Sequence, residues 1–467
     1  MRNAKIIATV GPACKTKEVL TNMVKAGVNA FRFNMSHGDY ASHGEQIELV
    51  KEIRESLGLS LPIIVDTKGP EIRIGTFENG GVTLSEGSVF ILTTQPVIGD
   101  NRRVSVTYPK LPEIVKEGSV ILVNDGMTEL SVIKTTGSEV YTKVIFGGEL
   151  KNNKSINIPG AKLDLPYLSL NDKKDINFAL TNGAEYLAIS FVSCAKDVLQ
   201  VRDYAIKLGD NGVKIISKIE SQAGIDNIDE IINASDGIMV ARGDMGVEIP
   251  FEKIPQMQKM IINKCKNAGK LVIVATEMLE SMTTNIRPTR AEISDVANAV
   301  LDGADAVMLS GETSVGRDPA RVVSVMDKIV RECEQSAKFN ADLANINNKT
   351  TSITGGVALS ACVLAQTSNA KAIIAVTKTG STAIEVSRFR PTTMIIGCTP
   401  VERTFMQLGL VWGVMPMMQN EISSTEKLLE DARNCARYSG LVNLGDIVVQ
   451  TAGQDSTSSN MVIINKV

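Results

Sequence analysis

The sequence predicts an α/β protein: a (β/α)8 barrel, a small β-barrel lid domain inserted into it, and a C-terminal α/β domain with a five-stranded sheet. Three observations support this prediction. Eight short β-branched runs alternate with amphipathic stretches, a long segment without helical periodicity interrupts them, and a second α/β pattern follows. Strands that alternate with helices pair in parallel through right-handed crossovers, and eight such units favour a closed barrel over an open sheet.

The eight barrel strands are predicted from apolar runs that each end in polar residues, the pattern expected at the C-terminal mouth of a barrel. The runs are 5–10, 30–36, 63–67, 186–192, 214–220, 237–243, 271–277 and 306–311. Together with the helical stretches between them, they predict a barrel domain over 1–69 and 167–340.

The segment 70–166 interrupts this rhythm between the third and fourth barrel strands. It offers glycine-punctuated strand runs at 71–77, 82–84, 88–93, 103–106, 120–123, 129–133 and 139–145. Gly69-Pro70 and Pro159-Gly160 flank it and provide suitable hinge chemistry. Because an insert at this point lies over the mouth of the barrel, we expect a small all-β domain that acts as a mobile lid.

A third domain is predicted over 341–467, after the turn cluster at 344–350. Its strand runs are 371–377, 393–397, 410–415, 446–451 and 461–465. Helical stretches alternate with these runs, which predicts a five-stranded α/β sheet.

Composition excludes several classes of partner. Lys+Arg 49 against Asp+Glu 52 gives a net charge of -3, and aromatic residues make up only 4%, so neither nucleic acid nor an anionic membrane is an expected partner. The seven cysteines are scattered without a C-x-x-C pair, which is typical of reduced thiols. No secretory signal and no apolar stretch of membrane-spanning length is found. We therefore expect a cytoplasmic protein.

The fifth and sixth strands end in charged residues. Lys218 and Glu220 share one face of their strand, and Gly243 and Gly246 bracket Asp244 after the next strand. A lysine and a carboxylate inside a barrel are costly unless they are paired or bind a ligand. Two carboxylates on adjacent strand ends suit Mg²⁺ or Mn²⁺. The alternative is a frayed strand end with solvated charges.

The remaining strand ends add oxygen ligands and cations. The second and third strands supply oxygens suited to a monovalent cation, at Asn34, Ser36, Asp66 and Thr67. The last two strands end in Thr276, Ser310 and Glu312. Four cations, Arg32, Arg73, Lys154 and Lys218, indicate an anionic ligand. With a divalent metal this set suits phosphoryl transfer, although no Walker A or kinase G-x-G-x-x-G loop is present.

A hydroxyl-rich turn joins a strand to a helix in the C-terminal domain. It comprises Thr377, Lys378, Thr379, Gly380, Ser381 and Thr382. Hydroxyls, an ammonium group and helix amides make a phosphate pocket. Serine and threonine are equally favoured in a turn that only caps the helix, so both interpretations stay open.

Several of these segments resemble the pyruvate kinase family. They are FNMSHG (33–38), DTKGPEIR (66–73), ISKIE (216–220), MVARGDMGVE (239–248), RPTRAE (287–292) and AVMLSGET (306–313). The resemblance implies a catalytic barrel, a β lid and an effector-binding C-terminal domain, in a homotetramer. It also implies transfer of the phosphoryl group of phosphoenolpyruvate to ADP, with Mg²⁺ (or Mn²⁺) and K⁺ as cofactors.

The resemblance also implies roles for individual residues. Lys218 stabilises the moving phosphoryl group, Arg32 contacts the phosphate, and Thr276 binds the substrate carboxylate beside the amides of Gly243 and Asp244. Further roles are divalent-metal binding (Glu220, Asp244), K⁺ binding (Asn34, Ser36, Asp66, Thr67) and nucleotide binding (Asn34, His37, Arg73, Lys154). Glu71 is similar to the K⁺-dependent branch, since K⁺-independent members have lysine there. The donor of the proton to enolpyruvate stays open.

Some positions depart from the family pattern. Met35, Asn124 and Glu277 replace phenylalanine, aspartate and glutamine, and Ser193-Cys194 replaces a basic pair. The loop 453–457 lacks the Trp and Arg of members activated by fructose 1,6-bisphosphate, so Thr377–Thr382 predicts a phosphorylated effector of open identity.

Two other functions would explain part of this pattern. A metal-dependent lyase or aldolase explains Glu220 and Asp244, but not the K⁺-type oxygens or the basic residues of the lid. A catalytically silent metabolite sensor would keep only the C-terminal pocket, and retention of every motif ligand argues against it.

Overall fold

A computed structural model of the chain describes residues 2–161, 165–335, 352–422, 424–453 and 459–467. Its centre is a closed barrel of eight parallel strands, in which the first strand pairs with both the second and the eighth. The strands are Lys5–Thr9, Ala30–Asn34, Ile63–Asp66, Tyr186–Ile189, Lys214–Ile219, Gly237–Ala241, Leu271–Ala275 and Ala306–Leu309. All eight predicted strands are confirmed, and each ends one to three residues earlier than the sequence pattern predicts.

Helices cover the outside of the barrel. The longer ones are Lys17–Ala26, Tyr40–Leu57, Leu170–Thr181, Ala195–Lys207, Ile254–Ala268, Arg290–Asp302 and Pro319–Glu334. Shorter helices are Gln222–Asp226, Ile228–Ala234, Arg242–Glu248 and Gly311–Ser314, with 3-10 turns at Pro12–Cys14, Phe251–Lys253 and Glu280–Thr283. Side chains such as Phe31 and Phe33 point outward from the strands and form the main core against these helices.

The interior of the barrel has an apolar lower layer and a polar upper layer. Ile7, Ala30, Ile64, Ala188 and Ile216 belong to one buried cluster inside the barrel. Because side chains two positions apart on a strand share a face, the next interior residues toward the mouth are Thr9, Arg32, Asp66, Ser190 and Lys218. The strand phase therefore places five polar side chains in one layer at the mouth.

The inserted β domain has strands at Ile72–Arg73, Gly81–Leu84, Val89–Thr93, Arg103–Ser105, Val120–Val123, Thr128–Thr135, Glu139–Phe146, Gly148–Lys151 and Ser155–Asn157. Seven of them form one sheet, and a bridge between Ile74 and Val106 joins the strands at its two edges, which gives the domain its barrel-like form. Two strands, Gly148–Lys151 and Ser155–Asn157, and the short helix Leu111–Ile114 were not predicted.

The C-terminal domain has the predicted five-stranded sheet, in the order Val414–Met418, Met394–Thr399, Ala372–Val376, Ile447–Ala452 and Met461–Lys466. Its helices are Ile353–Thr367, Ser381–Arg388, Glu402–Leu408 and Thr425–Tyr438. The prediction of a strand at 410–415 is wrong in its first half. Leu410 instead joins the apolar cluster inside the barrel, because the turn after the preceding helix closes the lower end of the barrel.

The residue limits of the three domains stay predictions. The limit at 340/341, the turn cluster 344–350 and most of the loop 453–457 lie outside the described residues. Across the described ranges, no helix has the length and apolar character needed to cross a membrane.

Candidate active site

Lys218 lies at the centre of the polar layer, at the mouth of the barrel. Its ammonium nitrogen is 2.8 Å from Glu220 Oε1, 2.7 Å from Ser190 Oγ and 3.3 Å from Asp66 Oδ1. Burial alone lowers the pKa of Lys218, but the carboxylates of Asp66, Glu220 and Asp244 outweigh burial and raise it. The side chain is therefore a fixed positive charge, and the alternative of a frayed strand end with solvated charges is wrong for this buried pair.

Arg32 is held against Asp66. Its Nε and one terminal nitrogen donate to Asp66 Oδ2 at 2.7 Å and 2.5 Å, and its other terminal nitrogen donates to Thr9 Oγ1 at 3.1 Å. Burial raises the pKa of Asp66, but Arg32 and Lys218 together lower it below its ordinary value. Asp66 is thus an anion that positions two cations, and the expected contact of Arg32 with a phosphate stays a prediction.

Glu220 and Asp244 form an acidic pair beside Lys218. Glu220 is 2% exposed, and its Oε2 accepts a hydrogen bond of 2.6 Å from the amide of Phe191. Burial raises the pKa of Glu220; Lys218 opposes this shift and Asp244 adds to it, so the two carboxylates lie close enough to interact. This oxygen-only donor set fits a hard divalent cation, because each added positive charge relieves the repulsion.

The pair does not form a complete cage of protein ligands. Within the described ranges, no group of three or more His, Cys, Asp and Glu side chains is arranged to hold a metal. A divalent ion such as Mg²⁺ keeps waters and substrate oxygens in its remaining positions. Two carboxylates are therefore compatible with such an ion at the mouth of the barrel.

The oxygens predicted to hold K⁺ come from neighbouring strands. Asn34 pairs with Asp66 across the second and third barrel strands, and Ser36 donates its amide to Asn34 Oδ1 at 3.1 Å. The carbonyl of Thr67 accepts a hydrogen bond of 2.8 Å from the Ser190 hydroxyl. This set of neutral oxygens with one carboxylate fits a monovalent cation. Ser36 lies in a turn, not in the strand as the pattern predicted.

The seventh strand ends in a strained turn that contacts the sixth. Thr276 and Glu277 both have left-handed backbones, with φ of 65° and 53°. The Thr276 hydroxyl accepts a hydrogen bond of 2.8 Å from the Gly243 amide and donates one of 2.6 Å to the carbonyl of Ala275. Gly243 and Asp244 lie in the helix Arg242–Glu248 rather than in the open turn that the glycines predicted.

The basic residues of the lid converge on the barrel. His37, on the loop after the second strand, has its pKa lowered by burial and by the positive charges of Arg32, Arg73 and Lys154. All three cations therefore lie near His37. The lowered pKa means that His37 is neutral near pH 7. Arg73 is itself positioned by Glu71 at 2.6 Å and by the carbonyl of Asn153 at 2.7 Å. The concentration of positive charge between lid and barrel suits a polyanionic ligand.

The eighth strand contributes less chemistry than its sequence indicated. Glu312 is fully buried and accepts hydrogen bonds from the amides of Leu279 and Ser310, at 2.9 Å and 2.6 Å. It therefore joins the ends of the last two strands instead of facing a ligand. The Ser310 hydroxyl is buried and has no hydrogen-bond partner among the described residues.

The hydroxyl-rich turn of the C-terminal domain leads into the helix Ser381–Arg388. The Thr377 hydroxyl accepts a hydrogen bond of 2.9 Å from the Gly380 amide, and Lys378 is 2.8 Å from Glu421. Thr379 donates to Ser381 Oγ at 3.1 Å, and the hydroxyl of Thr382 bonds that of Ser459. Both interpretations of this turn, cap and phosphate pocket, agree with these contacts.

Sequence reasoning missed three positioning residues. Ser190 links Lys218 to Asp66 and to the carbonyl of Thr67. Its place two residues after the interior Ala188 was the available signal. Arg242 bonds the carbonyl of Thr276 at 2.6 Å and Asp295 at 2.5 Å, and so holds the strained turn. Asp172 accepts hydrogen bonds at both connections to the lid.

The departures from the family pattern have local explanations. Met35 is 4% exposed and packs in the main core. Asn124 has φ of 57°, a left-handed conformation that asparagine tolerates well. The Ser193 amide and hydroxyl and the Cys194 amide all donate to Asp197, so these two residues start the helix Ala195–Lys207. Glu277 has a left-handed backbone, with φ of 53°, and nothing in the structure explains its replacement of glutamine.

Fold and site together define a class: a barrel enzyme with an inserted β domain, in which buried cations and paired carboxylates meet at the mouth of the barrel. Two family models match the chain, "Pyruvate kinase, barrel domain" over residues 1–323 and "Pyruvate kinase, alpha/beta domain" over residues 356–465. The chain belongs to the pyruvate kinase family and is a phosphotransferase.

Individual relatives agree with this assignment. The pyruvate kinase of Clostridium acetobutylicum is 43% identical over 100% of this chain and 99% of its own length. That of Geobacillus stearothermophilus is 43% identical over 97% of this chain and 78% of its own length. A crystal structure of a pyruvate kinase from Cryptosporidium parvum superposes with a TM-score of 0.94 at 37% identity, covering 100% of this chain and 96% of the other.

Proposed function

We propose that the chain moves the phosphoryl group of phosphoenolpyruvate to ADP, giving pyruvate and ATP in the last step of glycolysis. The observation that supports this most directly is the buried cation Lys218, 2.8 Å from Glu220 and 3.3 Å from Asp66 at the mouth of the barrel. In phosphoryl transfer, catalysis is mainly positioning and neutralisation of charge, which such a fixed cation supplies.

Lys218 stabilises the phosphoryl group while the bond from phosphorus to the enol oxygen breaks and a bond to the terminal phosphate oxygen of ADP forms. Asp66 and Ser190 fix the ammonium group, so that little reorganisation is needed during the reaction. Arg32, also fixed by Asp66, contacts the same phosphate. Thr276 and the amides of Gly243 and Asp244 orient the carboxylate of the substrate.

Glu220 and Asp244 are the proposed ligands of Mg²⁺ or Mn²⁺, and Asn34, Ser36, Asp66 and Thr67 those of K⁺. When bound, these cations neutralise the negative charge shared by the two phosphate-bearing substrates. Glu220 also accepts the amide of Phe191, which fixes its orientation toward the mouth. Two of these residues, Asp66 and Glu220, also position Lys218, and Asp66 positions Arg32 as well.

Arg73 and Lys154 bind the nucleotide phosphates from the lid, and Asn34 and His37 bind them from the barrel. The shared influence of Arg32, Arg73 and Lys154 on the pKa of His37 supports this arrangement. A neutral His37 can donate one ring N–H to a phosphate oxygen. After transfer, the enolpyruvate takes up one proton at its methylene carbon; the proton donor stays unassigned.

Three further properties belong to the same proposal. Assembly as a homotetramer is supported by two features. Apolar residues are exposed on the barrel, including Phe251 at 79% and Ile286 at 59%, and the strand Met461–Lys466 lies at the edge of its sheet. The turn from Thr377 to Thr382 is the proposed site of a phosphorylated effector. The cytoplasm is the proposed location, because the composition predicts binding neither to nucleic acid nor to a membrane.

The test is pyruvate formation by the full-length chain from phosphoenolpyruvate, with ADP, Mg²⁺ and K⁺ each omitted in turn. Na⁺ at equal ionic strength replaces K⁺ as the matched control. We expect pyruvate and ATP in equal amounts, and loss of both when ADP or Mg²⁺ is absent. Pyruvate formed without ADP would indicate a lyase or a phosphatase and would contradict the proposal, as would the absence of turnover under all conditions.

A further inference from the structure

The chain contains only two histidines, His37 and His43, and one hydrogen bond joins them. Nε2 of the His43 ring is 2.7 Å from the backbone carbonyl oxygen of His37. A carbonyl oxygen only accepts hydrogen bonds, so Nε2 carries the proton and donates it. The bond uses the backbone of His37 and not its ring. His43 therefore acts on the place where His37 lies.

The His43 ring is held from two sides. It is 6% exposed and meets the ring of Phe33 edge-on, with 6.0 Å between the ring centroids and 88° between the ring planes. Its backbone amide donates to the carbonyl of Asp39 at 3.1 Å, in the first turn of the helix Tyr40–Leu57. Asp39 caps that helix by accepting the amide of Ser42 at 2.8 Å. The strand and the helix together hold Nε2 as a donor at one defined point.

The start of this helix is also fixed to a neighbouring helix. The Tyr40 hydroxyl donates to Asp175 Oδ1 at 2.6 Å, and the Tyr40 ring lies 5.2 Å from that of Phe178. Both partners belong to the helix Leu170–Thr181. The same helix carries Asp172, which bonds the segment that enters the lid. The helix that presents His43 is therefore attached to the part of the barrel from which the lid departs.

The segment Ser36–Gly38, called here the His37 loop, is held at both of its ends. At the strand end, the side-chain oxygen of Asn34 accepts the amide of Ser36 at 3.1 Å. The carbonyl of Asn34 accepts the amide of His37 at 3.2 Å. At the far end, the hydrogen bond from His43 attaches the carbonyl of His37 to the helix. Loss of this bond would leave the far end of the loop without that anchor.

Gly38 lets the loop pass close to the His43 ring. It has φ of 75°, and a Cβ at this position would lie 3.1 Å from Nε2 of His43. That distance is too short for an unstrained contact, and the backbone conformation is one that side chains rarely adopt. The close approach is what brings the carbonyl of His37 within reach of the ring.

The other ring nitrogen of His43 has no comparable contact. Nδ1 is buried and has no hydrogen-bond partner among the described residues. A buried polar atom without a partner is unfavourable, and leucine or phenylalanine at this position would avoid that cost. Packing alone therefore favours an apolar side chain. The hydrogen bond from Nε2 to the His37 loop is what favours histidine.

We propose that His43 is a positioning residue for the nucleotide and K⁺ sites. Its hydrogen bond holds the His37 loop so that the ring of His37 and the oxygens of Ser36 stay at the mouth of the barrel. This inference rests on the proposed function, in which His37 binds the phosphates of ADP and Ser36 binds K⁺. The group that acts on phosphoenolpyruvate, Lys218, is held by residues outside this loop. His43 therefore affects ADP and K⁺ more than phosphoenolpyruvate.

The test compares His43→Leu with His43→Gln in the full-length chain. The amide nitrogen of glutamine can donate a hydrogen bond from nearly the place of Nε2, whereas leucine fills space without a donor. In His43→Leu we expect the KM for ADP and the K⁺ concentration for half-maximal activity each to rise about fivefold, as for one lost hydrogen bond. In His43→Gln both values stay within about twofold of the wild type. With K⁺ saturating, the KM for phosphoenolpyruvate stays within about twofold in both variants.

Two further variants separate positioning from stability. Gln46→Leu is the matched control, because Gln46 is a polar residue of the same helix, 7% exposed and one turn beyond His43. We expect it to keep the wild-type KM for ADP. Gly38→Ala retains His43 but pushes its ring from the loop, and we expect it to raise the KM for ADP as His43→Leu does. Urea unfolding of each variant shows whether a change in stability accompanies the change in KM.

Titration calorimetry with MgADP measures the same effect without turnover, so the two proposals can fail separately. A wild-type chain that binds MgADP but forms no pyruvate contradicts the proposed function, and a fivefold weaker affinity in His43→Leu would still support the role of His43. Three results would overturn that role. They are an unchanged affinity for MgADP in His43→Leu, an equal loss in His43→Leu and His43→Gln, and an equal loss in Gln46→Leu.

Discussion

The backbone amide of Gly69 donates a hydrogen bond of 2.8 Å to one oxygen of Asp172, while the other oxygen accepts the amide of Ser169 at 3.0 Å. One carboxylate thus joins the segment that enters the lid to the start of the helix Leu170–Thr181, which follows the return from the lid. Gly69 has φ of 74°, and a Cβ there would lie 2.9 Å from Ser190, the partner of Lys218. The hinge of the lid is therefore in contact with the layer that positions Lys218.

We predict that Asp172→Ala impairs nucleotide binding more than it impairs folding. Without the shared acceptor, the two connections move independently, and Arg73 and Lys154 spend less time near the barrel. The expected result is a KM for ADP raised about tenfold, equivalent to one or two lost hydrogen bonds. Steady-state kinetics with ADP as the varied substrate measures this change.

Asp197→Ala is the matched control for that variant. Asp197 accepts hydrogen bonds of 2.8–3.2 Å from the Ser193 hydroxyl and from two amides at the start of its helix. Asp172 accepts the same kinds of hydrogen bond from Ser169. Unlike Asp172, Asp197 has no hydrogen bond to either connection of the lid among the described residues. Both variants lose a helix cap, so both lose about 1 kcal/mol of stability. An equal KM for ADP in the two variants would show that Asp172 acts only as a cap.

Glu71 is predicted to determine the requirement for K⁺. Burial raises its pKa; Arg73 opposes this shift, and Asp125 and Asp244 add to it, so the carboxylate lies in an acidic environment between lid and barrel. In Glu71→Lys, an ammonium group supplies positive charge in that place. We expect the activity without K⁺ to rise to about that with K⁺. Titration of activity with KCl and NaCl measures this, and an undiminished K⁺ requirement would contradict the role of Glu71.

Lys5 makes the stability of the fold depend on pH. It is 5% exposed below the barrel and donates to the carbonyl of Val414 at 2.8 Å. Burial, helped by Arg2 and opposed by Glu334, lowers the pKa of Lys5 to about 7 from an ordinary 10.5. Between these values the unfolded chain holds a proton that the folded chain has released, so this group increases stability as the pH rises through that window.

The test is urea unfolding of the wild-type chain and of Lys5→Met from pH 6 to pH 10. The substitution removes one bond to Val414 at every pH, a constant loss of about 1–3 kcal/mol. It also removes the pH-dependent contribution, so the free energy of unfolding of the variant rises less steeply above about pH 7. Parallel profiles for the two chains would mean that Lys5 remains protonated in the folded state.

The eight barrel strands and the charged layer at the mouth could be predicted from the sequence because both follow from local periodicity. Lys218 and Glu220 are two residues apart on one strand, so their shared face needs no knowledge of the fold. The strands end earlier than predicted because polar residues such as Ser36 and Glu277 turn away once they reach the mouth. The apolar runs in the sequence do not show at which residue each strand ends.

Contacts between segments that are distant in the chain could not be predicted from the sequence. Asp172 is 103 residues from Gly69, and no local pattern distinguishes it from the helix cap at Asp197. The strand predicted at 410–415 failed for a related reason: Leu410 is apolar because it fills the bottom of a barrel in another domain. Ser190 had a usable signal in its strand phase, because it follows the interior Ala188 by two residues within the predicted strand run 186–192.

The most direct test of the account is the kinetics of Lys218→Met with phosphoenolpyruvate and ADP. Because Lys218 acts on the charge that develops during transfer, we predict a kcat lowered by about a thousandfold, with a KM for phosphoenolpyruvate within about twofold of the wild-type value. Lys264→Met, on the barrel surface beside Asp229, serves as the control and keeps wild-type kinetics. A Lys218→Met enzyme with unaltered kcat would contradict the assigned mechanism.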